Sequence, residues 1–344
     1  MSKRALITGF PGWLTEHLFR RLDELAALPA PPIWVEQLDG VRWRALVIPD
    51  GVRGIGINER NRRIEDVVEG DIRDPEAVAQ AMQGVDLVLH AAGIIHPRRI
   101  RDLYEINRDG CSCLAAAAAR AGARRFVFIS SNAAAGFARP DQAMEESDEP
   151  TPTSHYGRSK LEGEQRMWDA LQGSQTEGVV LRPTTFYGPH FPQRHIKAYR
   201  LAASGRPLVI GDGRNRVSMI YIDDLVDALG RALTVAQAAG ATAFVADRDS
   251  YEWQEIFIAM GQAQGKTVRP LRLPGAIASV CATGDAILSA LGRYSMMIHV
   301  AGEARQHMAC NISTARSVLG FSPQVGLYEG MRRAVSWAHT AGQL

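Results

Sequence analysis

Near its start the chain runs Ala5-Leu6-Ile7-Thr8-Gly9-Phe10-Pro11-Gly12-Trp13-Leu14-Thr15. The first four of these residues form a short apolar run of the kind that makes a buried strand. A glycine-bounded turn follows, and then Leu14, Leu18, Leu22 and Leu25 recur near helical spacing. Strand, glycine turn and helix, in that order, are the setting a dinucleotide-binding loop requires. Gly9 permits the tight turn, and Gly12 lets the backbone approach a pyrophosphate at the positive end of the helix. Thr15 departs from the pattern, because it stands where a third glycine normally packs helix against strand. An ordinary β–α turn reads the same way from this segment alone, so the rest of the chain has to decide.

Residues 29–40, Pro-Ala-Pro-Pro-Ile-Trp-Val-Glu-Gln-Leu-Asp-Gly, read as an insertion whose prolines end the first helix. Further strands are predicted over 41–48, 67–72, 85–90 and 126–131, with an alanine-rich helix over 107–121. The end of the second strand should carry the residue that selects the cofactor, an acid for a ribose 2′-hydroxyl or a base for a 2′-phosphate. Ile48 and Pro49 are neither, and Asp50 and Arg53 argue opposite ways, so NAD and NADP both stand. Asp71 is expected at the tip of the third strand, within reach of an adenine edge. Ala91, Ala92 and Gly93 follow the fourth strand and leave room for a flat cofactor against the backbone. Strands rich in Val, Leu and Ile that alternate with helices predict an α/β fold. Its core is a Rossmann-type, doubly wound parallel sheet covered on both faces.

A second signal is Ser154-His155-Tyr156-Gly157-Arg158-Ser159-Lys160-Leu161-Glu162-Gly163-Glu164. A tyrosine four residues before a lysine shares one helix face with it, one turn apart. A neighbouring ammonium favours the phenolate and lowers the tyrosine pKa towards the range where a general acid or base works. The chain has only four lysines, Lys3, Lys160, Lys197 and Lys266, so one at this offset carries weight. A surface tyrosine and lysine on an amphipathic helix is the bland alternative.

After residue 178 the alternation degrades. A sixth strand begins at Val179 and ends in Arg182-Pro183-Thr184-Thr185-Phe186-Tyr187-Gly188-Pro189. Short strands are then predicted at 208–210, 218–222 and 243–246, with helices at 223–236, 252–264, 276–291 and 326–341. This predicts a dinucleotide-binding domain over 1–178 and a smaller, interleaved C-terminal substrate lobe over 179–344, with some segments returning to the sheet. The 276–291 helix is apolar and reads as a core helix in preference to a pocket wall. The 139–150 segment, rich in acids and prolines, reads as a flexible surface loop able to close over the site.

Composition removes several classes. A formal charge of +2 with no basic block argues against nucleic acid as a partner. Cys111, Cys113, Cys281 and Cys310 form no C-x-x-C and have no histidines at zinc-like offsets, so no metal is expected and free thiols in a reducing cytoplasm are. No apolar run reaches the length of a membrane span, and the N-terminus does not read as a signal peptide. His96, His190 and His195 fall in loops and read as surface residues. Cys111 and Cys113 read as helix packing.

Together these residues resemble the extended short-chain dehydrogenases, the NAD-dependent epimerase/dehydratase family with its 3β-hydroxysteroid-dehydrogenase-like branch. The resemblance spans nearly the full length. It rests on Thr8-Gly9-x-x-Gly12, Gly70-Asp71-Ile72-Arg73-Asp74, His90-Ala91-Ala92, Ser130-Ser131, Tyr156-x-x-x-Lys160, Arg182-Pro183, Tyr187-Gly188-Pro189, Tyr221-Ile-Asp-Asp224 and Ala315 to Pro323. It implies that Tyr156 is the general acid or base and that Lys160 holds the nicotinamide ribose. It implies that Ser131, with Ser130 as fallback, hydrogen-bonds the reacting oxygen. Gly9, Gly12, Trp13 and Leu14 would line the pyrophosphate, Asp71 and Ile72 the adenine, and Ala91, Ala92 and Gly93 the ribose region. Pro183 and Thr185 would sit by the nicotinamide. A homodimer paired through the 107–121 and 154–171 helices is implied in the same way.

Three departures narrow the function. Asn132-Ala133 replace the acidic pair that dehydratases of the family use to eliminate water. Thr185 replaces the asparagine usual in nucleotide-sugar enzymes. Val217 stands where those enzymes place an arginine for the diphosphate, with Arg214 and Arg216 nearby. The expected function is therefore NAD(P)-dependent oxidoreduction of a secondary alcohol or ketone on a small-molecule substrate. The alternatives are a nucleotide-sugar epimerase with tightly bound NAD and a non-catalytic cofactor-binding regulator.

Overall fold

Twelve strands follow one another in the computed structural model, which describes residues 3–49 and 63–344. They are β1 (Arg4–Thr8), β2 (Arg42–Val47), β3 (Ile64–Glu69), β4 (Leu87–His90), β5 (Arg125–Ile129) and β6 (Glu177–Pro183). The second half contributes β7 (Thr185–Tyr187), β8 (Leu208–Ile210), β9 (Arg216–Tyr221), β10 (Thr242–Val245), β11 (Ser250–Glu252) and β12 (Leu271–Leu273). Seven of them build one sheet in the order β10-β6-β5-β4-β1-β2-β3. Every pairing in it is parallel, as expected for strands buried on both faces. The order reverses between β1 and β4, where Thr8 lies beside His90. A crevice at such a switch point is where open α/β sheets bind ligands.

The first helix, Trp13–Ala26, buries Leu14, Leu18 and Leu22 on one face of the sheet, beside the helix Ile222–Thr234. The other face is covered by the helices Cys111–Ala121 and His155–Leu171, through Leu114, Ala118, Met167 and Leu171. Residues 29–40, read as an insertion, have a packing role. They form the helix Ile33–Leu38, and Trp34 seats its ring where a Cβ on Gly230 would stand only 2.1 Å away. The Trp34 indole N–H also donates to Asp227 at 2.7 Å. The cofactor-selecting pair Asp50 and Arg53 lies outside the described residues.

The second half does not separate from the first at a single cut, because β6 and β10 complete the main sheet. A three-stranded sheet β11-β9-β7 and a two-stranded ribbon β12-β8 form the smaller lobe. Asp224 ties the lobe's last segment down by accepting the N–H groups of Gln324 and Val325 at 3.0 and 2.9 Å.

Two sequence expectations are corrected here. The helix Ala276–Ala290 is no core helix, since among its residues only Ala278 is buried. It pairs with the helix Met296–Glu303 to form a hairpin beside the site. The 139–150 segment is not a loose flap. Met144 is buried, and Glu146 accepts from the Phe244 N–H at 2.7 Å and from the Thr314 hydroxyl at 2.8 Å. Two strong acceptor bonds from one carboxylate fix the segment to β10 and to the helix Ser313–Leu319.

Candidate active site

The glycine loop after β1 is built for close backbone approach. Gly9 holds a φ of +79°, and a Cβ there would lie 2.7 Å from the Ala91 carbonyl and 2.8 Å from the Ala92 nitrogen. A Cβ on Gly12 would meet the Gly9 carbonyl oxygen at 2.6 Å. Thr15 explains its own departure from the three-glycine pattern. Its buried hydroxyl accepts from the Gly12 N–H at 3.1 Å and lies 3.0 Å from the Gly9 carbonyl. It therefore laces the loop shut where a glycine would merely allow contact. The Thr8 hydroxyl reaches across to His90 at 2.7 Å and accepts from the Ala92 N–H at 3.1 Å. That fixes Ala91 and Ala92 at the mouth of the crevice. Burial pushes the His90 pKa down to about 3, with Lys160 acting in the same direction, so its ring is neutral there.

Trp13 caps the loop from the side of the smaller lobe. Its indole N–H donates to the Pro189 carbonyl at 2.9 Å, and its ring lies against Phe186 with centroids 4.8 Å apart. Asp71 is gripped by Arg73 at 2.9 and 2.7 Å, which holds its carboxyl below the usual carboxylate range. Ile72 is buried against Gly110, where a Cβ would come within 2.6 Å of its Cδ1.

Tyr156, Lys160 and Glu164 share one face of the helix His155–Leu171, as a spacing of four requires. Ser154 caps that helix by accepting the Gly157 N–H at 3.1 Å. The buried Lys160 ammonium donates to the Ile129 carbonyl at 2.8 Å and rests 4.7 Å over the Phe128 ring. Burial brings its pKa down to about 8, against the opposing pull of Cys111 and Glu164. The expected lowering of the Tyr156 pKa by Lys160 is not found. Burial raises it, and the group that opposes the rise is Ser131, through a side-chain hydrogen bond.

The two serines at the end of β5 are sorted by their partners. Ser130 is buried and hydrogen-bonded to Glu164, which also holds Arg182 at 2.7 and 3.0 Å. Ser131 caps the short turn Asn132–Ala134 and shares its hydroxyl with Tyr156. Glu164, not among the residues expected in the site, was still legible in the sequence, standing four residues beyond Lys160 on the same helix face. Asn107 was not. It lies in a π-helical segment, Tyr104–Gly110, and bonds Ile94 N at 2.9 Å, Ile94 O at 2.9 Å and the Ser159 hydroxyl at 3.0 Å. A Cβ on Gly93 would lie 2.9 Å from the Asn107 oxygen and 3.1 Å from the Lys160 nitrogen, so Gly93, Asn107 and Lys160 meet at one point.

At the end of β6, Pro183 is buried, and Thr185 is exposed at the start of β7. Val217 is buried in the lobe's core, Arg216 is hydrogen-bonded to Ser250 at 3.1 Å, and Arg214 is exposed. His195 is packed between Trp13 and Phe191, and His190 against Trp337. Burial lowers both to about 4. His96 bonds the Tyr294 hydroxyl at 3.0 Å. Among the described residues no cluster of side chains is set to hold a metal.

A cavity of about 560 Å³ opens beside Tyr156. Ile95, Ile100, Leu103 and Phe137 line one side, and the inner face of the 276–303 hairpin, with Ala282 and Ala286, lines the other. Its polar end is a network in which His299 meets Asp285 at 2.9 Å and Glu303 at 3.5 Å. Arg158 is the sole lysine or arginine among the lining residues.

Residues 5–245 match the NAD dependent epimerase/dehydratase family. The "Uncharacterized protein y4nL" of Sinorhizobium fredii is 35% identical over 98% of this chain and 96% of its own. The "Ceramide reductase" of Caulobacter vibrioides is 30% identical over 98% of this chain and 95% of its own. In fold, the chain is similar to the UDP-glucuronic acid 4-epimerase of Bacillus cereus in complex with NAD. The TM-score is 0.72 at 21% identity, over 98% of this chain and 99% of that one.

Proposed function

Because the chain belongs to the NAD-dependent epimerase/dehydratase family, we propose that it moves a hydride between a nicotinamide dinucleotide and a secondary alcohol or ketone on a largely apolar substrate. The observation that carries this reading is the cavity at Tyr156, which sets Ile95, Ile100, Leu103, Phe137 and the hairpin's alanines opposite one polar end and offers Arg158 alone among lysines and arginines. A nucleotide sugar brings a diphosphate, and bidentate arginines are the usual answer to one. The relative named ceramide reductase supports an apolar substrate.

Gly9 and Gly12 are held tight on the chain's own backbone, with no room for a side chain at either position, and the helix N-terminus that follows them would offer its free N–H groups to a pyrophosphate. Gly9, Gly12, Trp13 and Leu14 would hold the pyrophosphate, and Asp71 and Ile72 would flank the adenine. Ala91, Ala92 and Gly93 would face the ribose side, and Pro183 and Thr185 the nicotinamide. When bound, the dinucleotide supplies or accepts the hydride. The Tyr156 hydroxyl then gives the carbonyl oxygen its proton in reduction, or takes the hydroxyl proton in oxidation. A phenol whose pKa burial has raised stays protonated at neutral pH, which suits the donor role. Ser131 hydrogen-bonds the same oxygen, while Ser130 is committed to Glu164. Lys160, charged below about pH 8, would hold the ribose hydroxyls.

The test is turnover of NADH or NADPH with long-chain ketones and with UDP-sugars, in wild type and Tyr156→Phe. Loss of the acid/base group should cut kcat by about 10²–10⁴-fold with dinucleotide binding retained. Stoichiometric NAD carried through purification, with turnover of UDP-sugars and none of ketones, would establish the epimerase reading instead.

A further inference from the structure

The hairpin that walls the cavity has a second face, turned outward. Val280, Ile287, Leu291, Met296, Met297 and Val300 are 71, 58, 67, 48, 80 and 49% exposed. Single exposed apolar residues are ordinary, but six on one helical hairpin form a patch. Between Pro274 and Gly302 the only charged residues are Asp285 and Arg293. Asp285 is turned inward onto His299, so the outer face carries no negative charge.

The patch continues into the β8–β12 ribbon. Leu208 pairs directly with Leu271, and both side chains are exposed. Pro274 and Gly275 join this ribbon to the hairpin, and the Arg305 side chain lies over both Gly211 and Gly275. Around this surface stand Arg206, Lys266, Arg269, Arg272, Arg293 and Arg305, all exposed. Among the described residues none of the six has a carboxylate partner. Elsewhere the protein pairs its surface arginines freely, as at Arg73, Arg99, Arg108 and Arg332. An apolar hairpin ringed by unpaired cations is complementary to one kind of surface, an apolar layer beneath negative headgroups.

We infer that the 276–300 hairpin and the β8–β12 ribbon dock the protein on an anionic lipid bilayer, lying in the interface. No helix among the described residues is long and apolar enough to cross a membrane, and the hairpin helices, of 15 and 8 residues, have the length of an in-plane element. The inner face of the same hairpin lines the cavity at Tyr156, so docking sets the cavity wall against the lipid phase. The inference needs no turnover and stands or falls separately from the catalytic reading.

Flotation of the full chain with vesicles tests it. Wild type is expected to float with phosphatidylcholine containing phosphatidylglycerol, and to bind pure phosphatidylcholine at least tenfold more weakly. A cation near an anionic surface contributes on the order of a fivefold gain, so Arg269→Gln with Arg272→Gln should weaken partition about 25-fold. Ile287→Glu with Leu291→Glu should abolish flotation, and far-UV circular dichroism should match wild type, since both side chains are already exposed. Equal flotation on both vesicle types, or flotation indifferent to the arginine pair, would overturn the inference. So would an absence of flotation with a self-association, seen in sedimentation, that the Ile287→Glu/Leu291→Glu variant loses. That outcome would assign the face to a second copy of the chain.

Discussion

Lys160→Met offers the sharpest check on how the site is assembled. In the wild type the ammonium is buried, and burial holds its pKa near 8 against the ordinary 10.5. Between these two values the unfolded chain binds a proton that the native state has lost. Unfolding stability therefore rises with pH across this window, in the direction opposite to that of a lysine stabilised by a salt bridge. Two and a half units at about 1.36 kcal/mol each make about 3 kcal/mol, present in full above pH 10.5 and absent below pH 8. Methionine fills a similar volume and does not titrate. At pH 7 the variant loses the hydrogen bond to Ile129 but also escapes the cost of burying the charge, so the two proteins should lie within about 2 kcal/mol of each other. From pH 8.5 to 9.5 the wild type should gain about 1 kcal/mol on the variant. Urea unfolding at pH 7.5, 8.5 and 9.5 measures the difference, and titrations common to both proteins cancel. A difference that stays flat across the range would refute the buried placement of Lys160. If Lys160 also binds the ribose, kcat/KM of the wild type should fall on an alkaline limb near pH 8, as the ammonium is lost.

Two further perturbations probe the ground beneath the site. Glu164→Ala would strand the buried Arg182 and leave Ser130 without its acceptor, costing about 3–5 kcal/mol in urea unfolding. Glu164→Leu with Arg182→Met should cost less than Glu164→Ala, and an equal or larger loss would mean the pair is not buried as described. Gly9→Ala forces a Cβ to within 2.7 Å of the Ala91 backbone at a positive φ. Conformational strain alone is about 1–2 kcal/mol, so NADH affinity by fluorescence titration should drop at least tenfold, and unchanged affinity would exclude this loop from the cofactor site.

What the sequence disclosed followed the range of the interactions involved. The strand–turn–helix at 5–25 was readable because its determinants, the glycine turn and the leucine spacing, are local. Tyr156 and Lys160 were readable for the same reason, since a four-residue offset on a helix needs no tertiary partner. The sign of the tyrosine's pKa shift was not readable. It depends on what surrounds the phenol, and the Lys160 ammonium is engaged by Ile129 and Phe128, which belong to a distant strand. Asn107 escaped because its partners Ile94 and Ser159 are joined to it only by folding. The acidic 139–150 stretch has the composition of a loose loop, and one carboxylate, Glu146, is enough to pin it to two distant elements.

The hairpin shows the deeper limit. Apolar composition records that a face avoids water, not what it meets instead, so 276–291 reads as a core helix in preference to the pocket wall it forms. Trp34 and Ile287 are both large apolar residues on helices, yet one is 3% exposed and the other 58%. Trp34 has Gly230 opposite, a residue whose missing side chain leaves space for the ring. Ile287 has no such counterpart among the described residues, and the exposed cations around its face, Arg293 and Arg305 among them, have no carboxylate partner. Burial within the chain is decided by such complementary vacancies. Where none is provided, the apolar face is left for a surface outside the chain, and the unpaired arginines indicate its charge.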